Sequence, residues 1–192
     1  MISVVIPTCN AAATLPATFR SLFEAAIEGL VGEVIVSDCG SADATAKVAD
    51  DAGATVIQAG PGQQLLAGSK AARKPWLLFL KPGSAMEPGW EEEARAFIAG
   101  GEHGAAAFRL RLAAKGLGPR LRETLAAIGA RTFRLSTSCD GLLIPAKLLD
   151  APCAASTPQA EESGLMRGLG RNRVCLLKAA VIAGPARVGG RP

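Results

Sequence analysis

Three short polar segments follow apolar runs in this sequence, and each offers groups that could bind a ligand. The segments are Pro7-Thr8-Cys9-Asn10, Ser37-Asp38-Cys39-Gly40-Ser41-Ala42-Asp43 and Lys81-Pro82-Gly83-Ser84. They provide hydroxyls, an amide, an ammonium group and the Asp38 carboxylate, which can accept hydrogen bonds from a base or a ribose. If the apolar runs are neighbouring parallel strands, the segments meet in one crevice, because open parallel sheets bind ligands beyond the carboxyl ends of their strands. The set therefore suits a nucleoside.

The apolar runs alternate with helical patterns, as in βαβ units. We predict strands at Ser3–Ile6, Glu33–Val36, Thr55–Ile57 and Trp76–Leu80, and helices at Leu15–Leu30, Ala42–Ala52 and Gln63–Ala72. Pro7 is expected to end the first strand, and Ser41 is expected to cap the second helix. This order predicts right-handed crossovers and an α/β fold with a mainly parallel sheet.

The second half of the chain has a less regular pattern. Helices are predicted at Pro88–Ala99, Leu117–Leu135 and Glu161–Leu169, and strands at Ala106–Leu112, Gly141–Ile144 and Arg173–Leu177. The composition of 151–160 predicts a loop, and we expect poor order after Gly184.

Length and composition exclude several classes of protein. The chain has 192 residues, of which 49% are apolar and 20% charged, so it can form one domain with a sizeable core. No apolar run approaches the roughly 20 residues of a membrane span, and no charged leader follows Met1. We therefore expect a cytoplasmic protein whose membrane contact, where there is any, is peripheral to the inner membrane face. Five cysteines and the single His103 lack the spacing of a zinc site and predict reduced thiols.

Charge is spread unevenly along the chain. The net charge is +4, but residues 1–100 carry seven Lys or Arg against eleven Asp or Glu, so the excess of basic residues lies in the second half. This asymmetry indicates an anionic partner, and we predict that it is not a nucleic acid. Four arginines of the predicted helix 117–135 carry much of the excess: Arg120, Arg122, Arg131 and Arg134. They form either a solvated helix flank or a face toward an anionic acceptor or membrane.

The strand motifs resemble a known family. The segments are Ile2-Ser-Val-Val-Ile-Pro-Thr-Cys-Asn10, Glu33-Val-Ile-Val-Ser-Asp-Cys-Gly-Ser-Ala-Asp-Ala-Thr45 and Trp76-Leu-Leu-Phe-Leu80. Together they resemble the opening of family 2 glycosyltransferases, which have the GT-A fold and transfer sugars from nucleotide-diphosphate donors with inversion. The resemblance is strong over residues 2–90 and weaker beyond. It implies one Rossmann-related domain, a mostly parallel sheet flanked by helices, with a nucleotide part (1–90), an acceptor part (91–184) and a tail (185–192).

The resemblance also implies roles for residues near the donor. Thr8, Asn10 and Asp38 match positions that line the nucleotide crevice, and Gln64, together with Gly68, matches a segment near the donor. A first-turn helix acid is the role expected of Asp43. From the residues alone, without the surrounding motif, Asp38 would be interpreted as a capping acid in a strand–helix turn.

Toward the acceptor, the resemblance implies an acidic pair that carries the catalytic base. Glu162 matches the base, with Glu161 beside it, and Asp140 matches an acceptor contact. The alternatives from the residues alone are two plain N-terminal helix acids and a turn residue. The acceptor itself, a saccharide or a lipid-linked molecule, is not specified by the sequence.

One segment departs from the family. Where family members place a DxD motif that holds Mg²⁺ or Mn²⁺, this chain has Lys81-Pro82-Gly83-Ser84, without the carboxylates that such metals prefer. The resemblance thus implies a nucleotide-sugar transferase whose usual metal ligands are missing and whose donor diphosphate Lys81 could neutralise. The alternative is a non-catalytic GT-A-like binding or scaffold protein. A nucleotidyltransferase is less favoured, because no glycine-rich basic loop follows the first strand.

Overall fold

The computed structural model describes residues 1–101, 104–112, 139–149 and 174–183, together with Glu162 and Gly164. Several predictions concern other parts of the chain: the helix 117–135 with its four arginines, the loop 151–160, the tail, His103, Cys153 and Glu161. These lie outside the described residues. Within the described part, no helix is long and apolar enough to cross a membrane.

Strands and helices alternate through the first hundred residues. The strands of the described part are β1 (Ile2–Thr8), β2 (Val31–Asp38), β3 (Thr55–Gln58), β4 (Trp76–Phe79), β5 (Ala85–Met86), β6 (Ala105–Leu112), β7 (Leu142–Pro145) and β8 (Val174–Ala183). The helices are α1 (Leu15–Ile27), α2 (Thr45–Asp51), α3 (Gln64–Ala71) and α4 (Trp90–Ala99), with a 3₁₀ turn at Ala146–Leu149.

All of these strands form one sheet, in the order β3-β2-β1-β4-β7-β6-β8-β5. β1 runs parallel to β2 and β4, β2 runs parallel to β3, and β6 runs parallel to β8. The remaining pairings, all of which involve β5 or β7, are antiparallel. The predicted α/β fold with a mainly parallel sheet is confirmed.

The sheet has buried residues on both faces. Ile2, Val4 and Ile6 of β1 belong to one apolar cluster, with Trp90 of α4, whereas Val5 belongs to the other. A strand covered on both sides favours apolar residues at successive positions, which explains why Val4, Val5 and Ile6 follow one another in β1.

Several predicted boundaries are wrong, and two of them lie beside the polar segments. β1 continues through Pro7, which pairs in register with Ser37, because proline tolerates extended backbone near a strand end. α2 begins at Thr45 rather than at Ala42 and is not capped by Ser41, whose hydroxyl donates to Asp38 instead.

Differences in the second half concern the ends of elements. α4 begins at Trp90, after Gly89 in the left-handed region, rather than at Pro88. The last strand extends to Ala183 instead of ending at Leu177, because its later residues pair with β6 and β5. β5 is only two residues long, too short to give a pattern in the sequence.

Candidate functional site

The predicted polar segments share one edge of the sheet. β2, β1 and β4 are parallel neighbours, so their carboxyl ends lie side by side. β7 runs antiparallel to β4 and begins there, with Leu142 opposite Phe79. This edge is the crevice in which open α/β sheets bind ligands.

Asp38 is buried at the end of β2, paired in register with Thr8 of β1. Its Oδ1 accepts hydrogen bonds from the hydroxyls of Thr8 (2.9 Å) and Ser41, and its Oδ2 accepts them from the amides of Gly40 (3.0 Å) and Ser41 (2.7 Å). Four donors match the acceptor capacity of a carboxylate. This geometry favours Asp38 as the residue that fixes the two strand ends.

Hydrogen bonding also controls the charge of Asp38. Burial raises the pKa of its carboxyl, but the hydrogen bonds from Ser41, Thr8 and Gly40 outweigh burial and hold that pKa below its ordinary value. The group is therefore ionised at neutral pH.

Asn10 and Gln64 hold the loops around the end of β1. Asn10 is exposed with φ of 53°; its amide N–H donates to the Ser41 hydroxyl (2.7 Å), and its Oδ1 accepts from the amide of Ala42 (2.9 Å). Gln64 is buried, and its Nε2 donates to the carbonyl of Thr8 (2.8 Å). Both predicted nucleotide residues thus lie beside the Thr8–Asp38 pair.

Two further predicted positions shape the same loops. Asp43 lies two residues before α2 rather than in the predicted first turn. It accepts hydrogen bonds from the amide of Thr45, the first residue of α2 (3.0 Å), and from the amide of Ala12 (3.1 Å). Gly68 lets α3 approach β1, since a Cβ there would lie 2.4 Å from Val5 Cγ1.

A second polar cluster follows β4. The backbone amide of Lys81 donates to Asp140 Oδ1 (3.0 Å), and the Ser84 hydroxyl donates to Asp140 Oδ2 (2.6 Å). The Lys81 ammonium forms an ion pair with Glu162 Oε1 (2.9 Å). A small cleft lined by Lys81, Asp140 and Glu162 also includes Pro7 of β1, so the cluster adjoins the end of that strand.

Asp140 is a buried residue that accepts hydrogen bonds from residues 81–84, the segment that we call the Lys81 loop. It is 7% exposed, and burial raises the pKa of its carboxyl. Hydrogen bonds from Ser84 and the Lys81 amide, with the Lys81 charge, oppose that rise, while the Glu162 charge adds to it. Glu162 is held in turn by the Cys139 thiol, which donates to its carbonyl at 3.7 Å.

This cluster does not fit a divalent metal. Its loop, 81–84, contributes an ammonium group and no carboxylate, Asp140 accepts two protein hydrogen bonds, and Glu162 already neutralises Lys81. Within the described ranges, no group of three or more His, Cys, Asp or Glu could hold a metal ion.

The sequence of this chain matches a known protein family over most of its length. The model of the family described as Glycosyl transferase family 2 matches residues 3–140, more than half of the chain. The chain belongs to glycosyl transferase family 2. No match was found among curated proteins.

Solved structures similar to this family 2 chain have the same fold. TarS 1-349 of S. aureus in complex with UDP has a TM-score of 0.74 and 20% identity, covering 95% of this chain and 60% of that chain. Glucosyl-3-phosphoglycerate synthase of Mycobacterium tuberculosis, in complex with Mn²⁺ and UDP-glucose, has a TM-score of 0.71 and 23% identity, covering 97% of this chain and 72% of that chain. The family 2 chain thus spans 60% of the length of the TarS structure.

One site residue of the family 2 chain, Thr18, has no signal in the sequence. The Thr18 hydroxyl accepts a hydrogen bond from the Gly83 amide (2.9 Å) and donates to the Lys81 carbonyl (3.4 Å), which ties the Lys81 loop to α1. Thr18 lies within an ordinary helical pattern more than sixty residues before its partners, so no local signal marks it. Ser84 belongs to the polar segment that the sequence indicates after β4, but its hydrogen bond to Asp140 has no such signal.

The prediction of reduced thiols is wrong for two cysteines of the family 2 chain. Cys9 and Cys39, which directly follow the paired Thr8 and Asp38, form a disulfide with Cα atoms 5.4 Å apart. Parallel strands that end together bring the next residues within disulfide reach. Among the described residues, Cys139 (buried) and Cys175 (exposed) form no disulfide.

We expect the Cys9–Cys39 bond to stabilise this edge of the sheet. Cys39→Ser should lower the free energy of unfolding by about 2–4 kcal/mol, because the bond constrains the unfolded chain. Urea unfolding measures the change, and Cys175→Ser is the matched control, expected to be nearly neutral. Equal stability of Cys39→Ser and the parent would contradict the structural role.

A large apolar groove of the family 2 chain lies elsewhere. It has a volume of about 910 Å³ and is lined by α1, α2 and the start of α4, including Phe19, Phe23, Val48 and Trp90. None of the predicted site residues lines it, so it is not the strand-end crevice.

Proposed function

We propose that this chain transfers a sugar from a nucleotide-diphosphate donor to an acceptor hydroxyl, with inversion at the anomeric carbon. The observation that carries the proposal is the pairing of an ammonium group, Lys81, with a carboxylate, Glu162, at the strand-end crevice. Family membership supports it, as do the solved relatives of the same fold whose structures contain UDP or a UDP-sugar.

Donor binding is assigned to the edge formed by β1 and β2. Thr8, Asn10 and Gln64 would line the nucleoside part of the crevice. Asp38 would act chiefly through these loops, because its four acceptor sites are already filled by protein donors. Lys81 would bind the diphosphate, since an ammonium group is a compact partner for phosphate oxygens.

The reaction needs a base and a stabilised leaving group. Glu162 would take the proton of the acceptor hydroxyl as its oxygen forms a bond to the anomeric carbon. The bond from that carbon to the diphosphate breaks on the opposite face, and the nucleotide diphosphate leaves with the electron pair. General-base assistance contributes about 10²–10⁴ in rate, and Lys81 would stabilise the charge on the leaving oxygens.

The sequence predicts two acidic residues, Asp140 and Glu161, at the acceptor side of the site. Because both Asp140 oxygens accept hydrogen bonds from the Lys81 loop, we assign Asp140 to positioning Lys81. Glu161 would lie beside the base, next to an acceptor that is a saccharide or a lipid-linked molecule. A cytoplasmic location, with peripheral contact at the inner membrane face, stays a prediction.

A non-catalytic binding or scaffold protein is the second candidate function. The residue types at 81–84 favour it, because they replace the acidic motif that implies metal-assisted departure of the nucleotide. Such a protein would bind the nucleotide-sugar without releasing nucleotide from it.

Nucleotide-sugar binding is expected to be independent of divalent metal. In a thermal-shift screen of UDP-, GDP- and dTDP-sugars, one donor at about 100 times its dissociation constant should add about 2.7 kcal/mol to stability. The melting temperature should then rise by about 5–10 °C. EDTA should leave the rise unchanged, and Mn²⁺ should not increase it. Absence of any response would refute donor binding, and a response that requires Mn²⁺ would refute the role given to Lys81.

A further inference from the structure

Lys81 and Glu162, the two charged groups of the proposed reaction, form an ion pair with each other. Lys81 Nζ and Glu162 Oε1 lie 2.9 Å apart, with the lysine side chain 43% exposed and the glutamate side chain 15% exposed. Glu162 Oε1, which would accept the proton in the proposed reaction, is thus already in contact with the ammonium group. In the state described by the structure, this oxygen is occupied and cannot contact an acceptor hydroxyl at the same time.

We infer that donor binding releases the base. The diphosphate takes the Lys81 ammonium from Glu162, and the freed carboxylate then accepts the proton of the acceptor hydroxyl. This inference rests on the proposed function and deepens it, because Lys81 would determine that the donor binds before Glu162 can act on the acceptor. Donor binding would thus precede activation of the acceptor.

The backbone around Lys81 suits an exchange confined to the side chain. Its amide is fixed to Asp140 (3.0 Å), and the following turn is fixed to Thr18 through the Gly83 amide (2.9 Å). The ammonium group is carried on a flexible four-carbon stem that could turn from Glu162 to a phosphate without moving the loop.

The relative strengths of the two partners favour the exchange. The Lys81 side chain is 43% exposed, so a diphosphate can reach its ammonium group and replace Glu162 as its partner. A diphosphate offers more negative charge and several acceptor oxygens.

Calorimetric titration with UDP, GDP and dTDP, each beside its own monophosphate, tests the exchange. Glu162→Gln removes the competitor for Lys81, so it should bind the preferred diphosphate about two- to tenfold more tightly and the monophosphate nearly as the parent does. Lys81→Met should weaken diphosphate binding by about tenfold and reduce the preference for diphosphate over monophosphate. In the double variant Lys81→Met/Glu162→Gln, the glutamine should increase diphosphate affinity less than it does when Lys81 is present.

Two ion pairs elsewhere provide matched controls. Glu87 pairs with Arg111 (2.8 Å) and Lys47 pairs with Asp51 (2.7 Å), so Glu87→Gln and Lys47→Met change the same charges without touching the site. Both should bind nucleotides as the parent does. A Glu162→Gln protein that binds diphosphate no better than the parent, or gains equally with and without Lys81, overturns the exchange. A parent that binds none of the three diphosphates refutes the proposed function itself, so the two failures are distinguishable.

Discussion

Asp38→Ala is expected to lower the free energy of unfolding by about 3 kcal/mol, which corresponds to a fall in melting temperature of about 6–12 °C. The carboxylate is buried and accepts hydrogen bonds from two hydroxyls and two backbone amides at the ends of β1 and β2. Alanine leaves these donors without their acceptor in a site that excludes most water. Urea unfolding followed by circular dichroism measures the loss.

A control and a pH series separate this role from a general effect of charge. Asp50→Ala removes an exposed carboxylate of α2 and should change stability by less than about 0.5 kcal/mol. Because the pKa of Asp38 is held below its ordinary value, its ionised form contributes stability above about pH 3.9, and this is lost as the pH falls through the lower native pKa. The stability difference between the parent and Asp38→Asn should therefore shrink on acidification. An Asp38→Ala protein as stable as the parent would contradict the buried network.

The strand ends could be predicted because the information is local. Apolar runs mark the buried strands, and parallel pairing of two such runs brings the residues that follow them together, as observed for Thr8 and Asp38. The same reasoning places Cys9 beside Cys39, although an odd number of cysteines and a reducing compartment both argue against a disulfide. The predicted start of α2 is wrong because one side chain has two possible partners. The Ser41 hydroxyl donates a hydrogen bond to Asp38 and does not cap α2.

The second cluster could not be predicted from patterns along the chain. Lys81 and Glu162 are 81 positions apart in sequence. Asp140 reaches the Lys81 loop because β7, which begins two residues after it, returns antiparallel beside β4. That return adds an antiparallel strand to a parallel half-sheet, and no spacing rule specifies it. The resemblance to a family suggested roles for Glu162 and Asp140, but only the structure shows that one carboxylate neutralises Lys81 and the other holds its backbone.

Glu162→Gln is expected to lower the rate of sugar transfer by about 10²–10⁴-fold. Glutamine preserves the size of the side chain and can still accept a hydrogen bond, but it cannot take the proton of the acceptor hydroxyl. Release of nucleotide diphosphate from the donor identified by the binding screen gives the readout, with water as the acceptor until the natural one is known.

The same variant decides between the two candidate functions when rate and affinity are measured together. In an enzyme, Glu162→Gln loses turnover while its affinity for the nucleotide diphosphate stays at least as high as that of the parent, because the lost proton transfer belongs to the transition state. Glu87→Gln, whose ion pair with Arg111 lies outside the crevice, should retain the parent rate. Unchanged turnover in Glu162→Gln would assign the base to another residue. A parent that binds the donor but never releases nucleotide from it would identify the chain as a binding protein, in which Lys81 and Glu162 serve affinity alone.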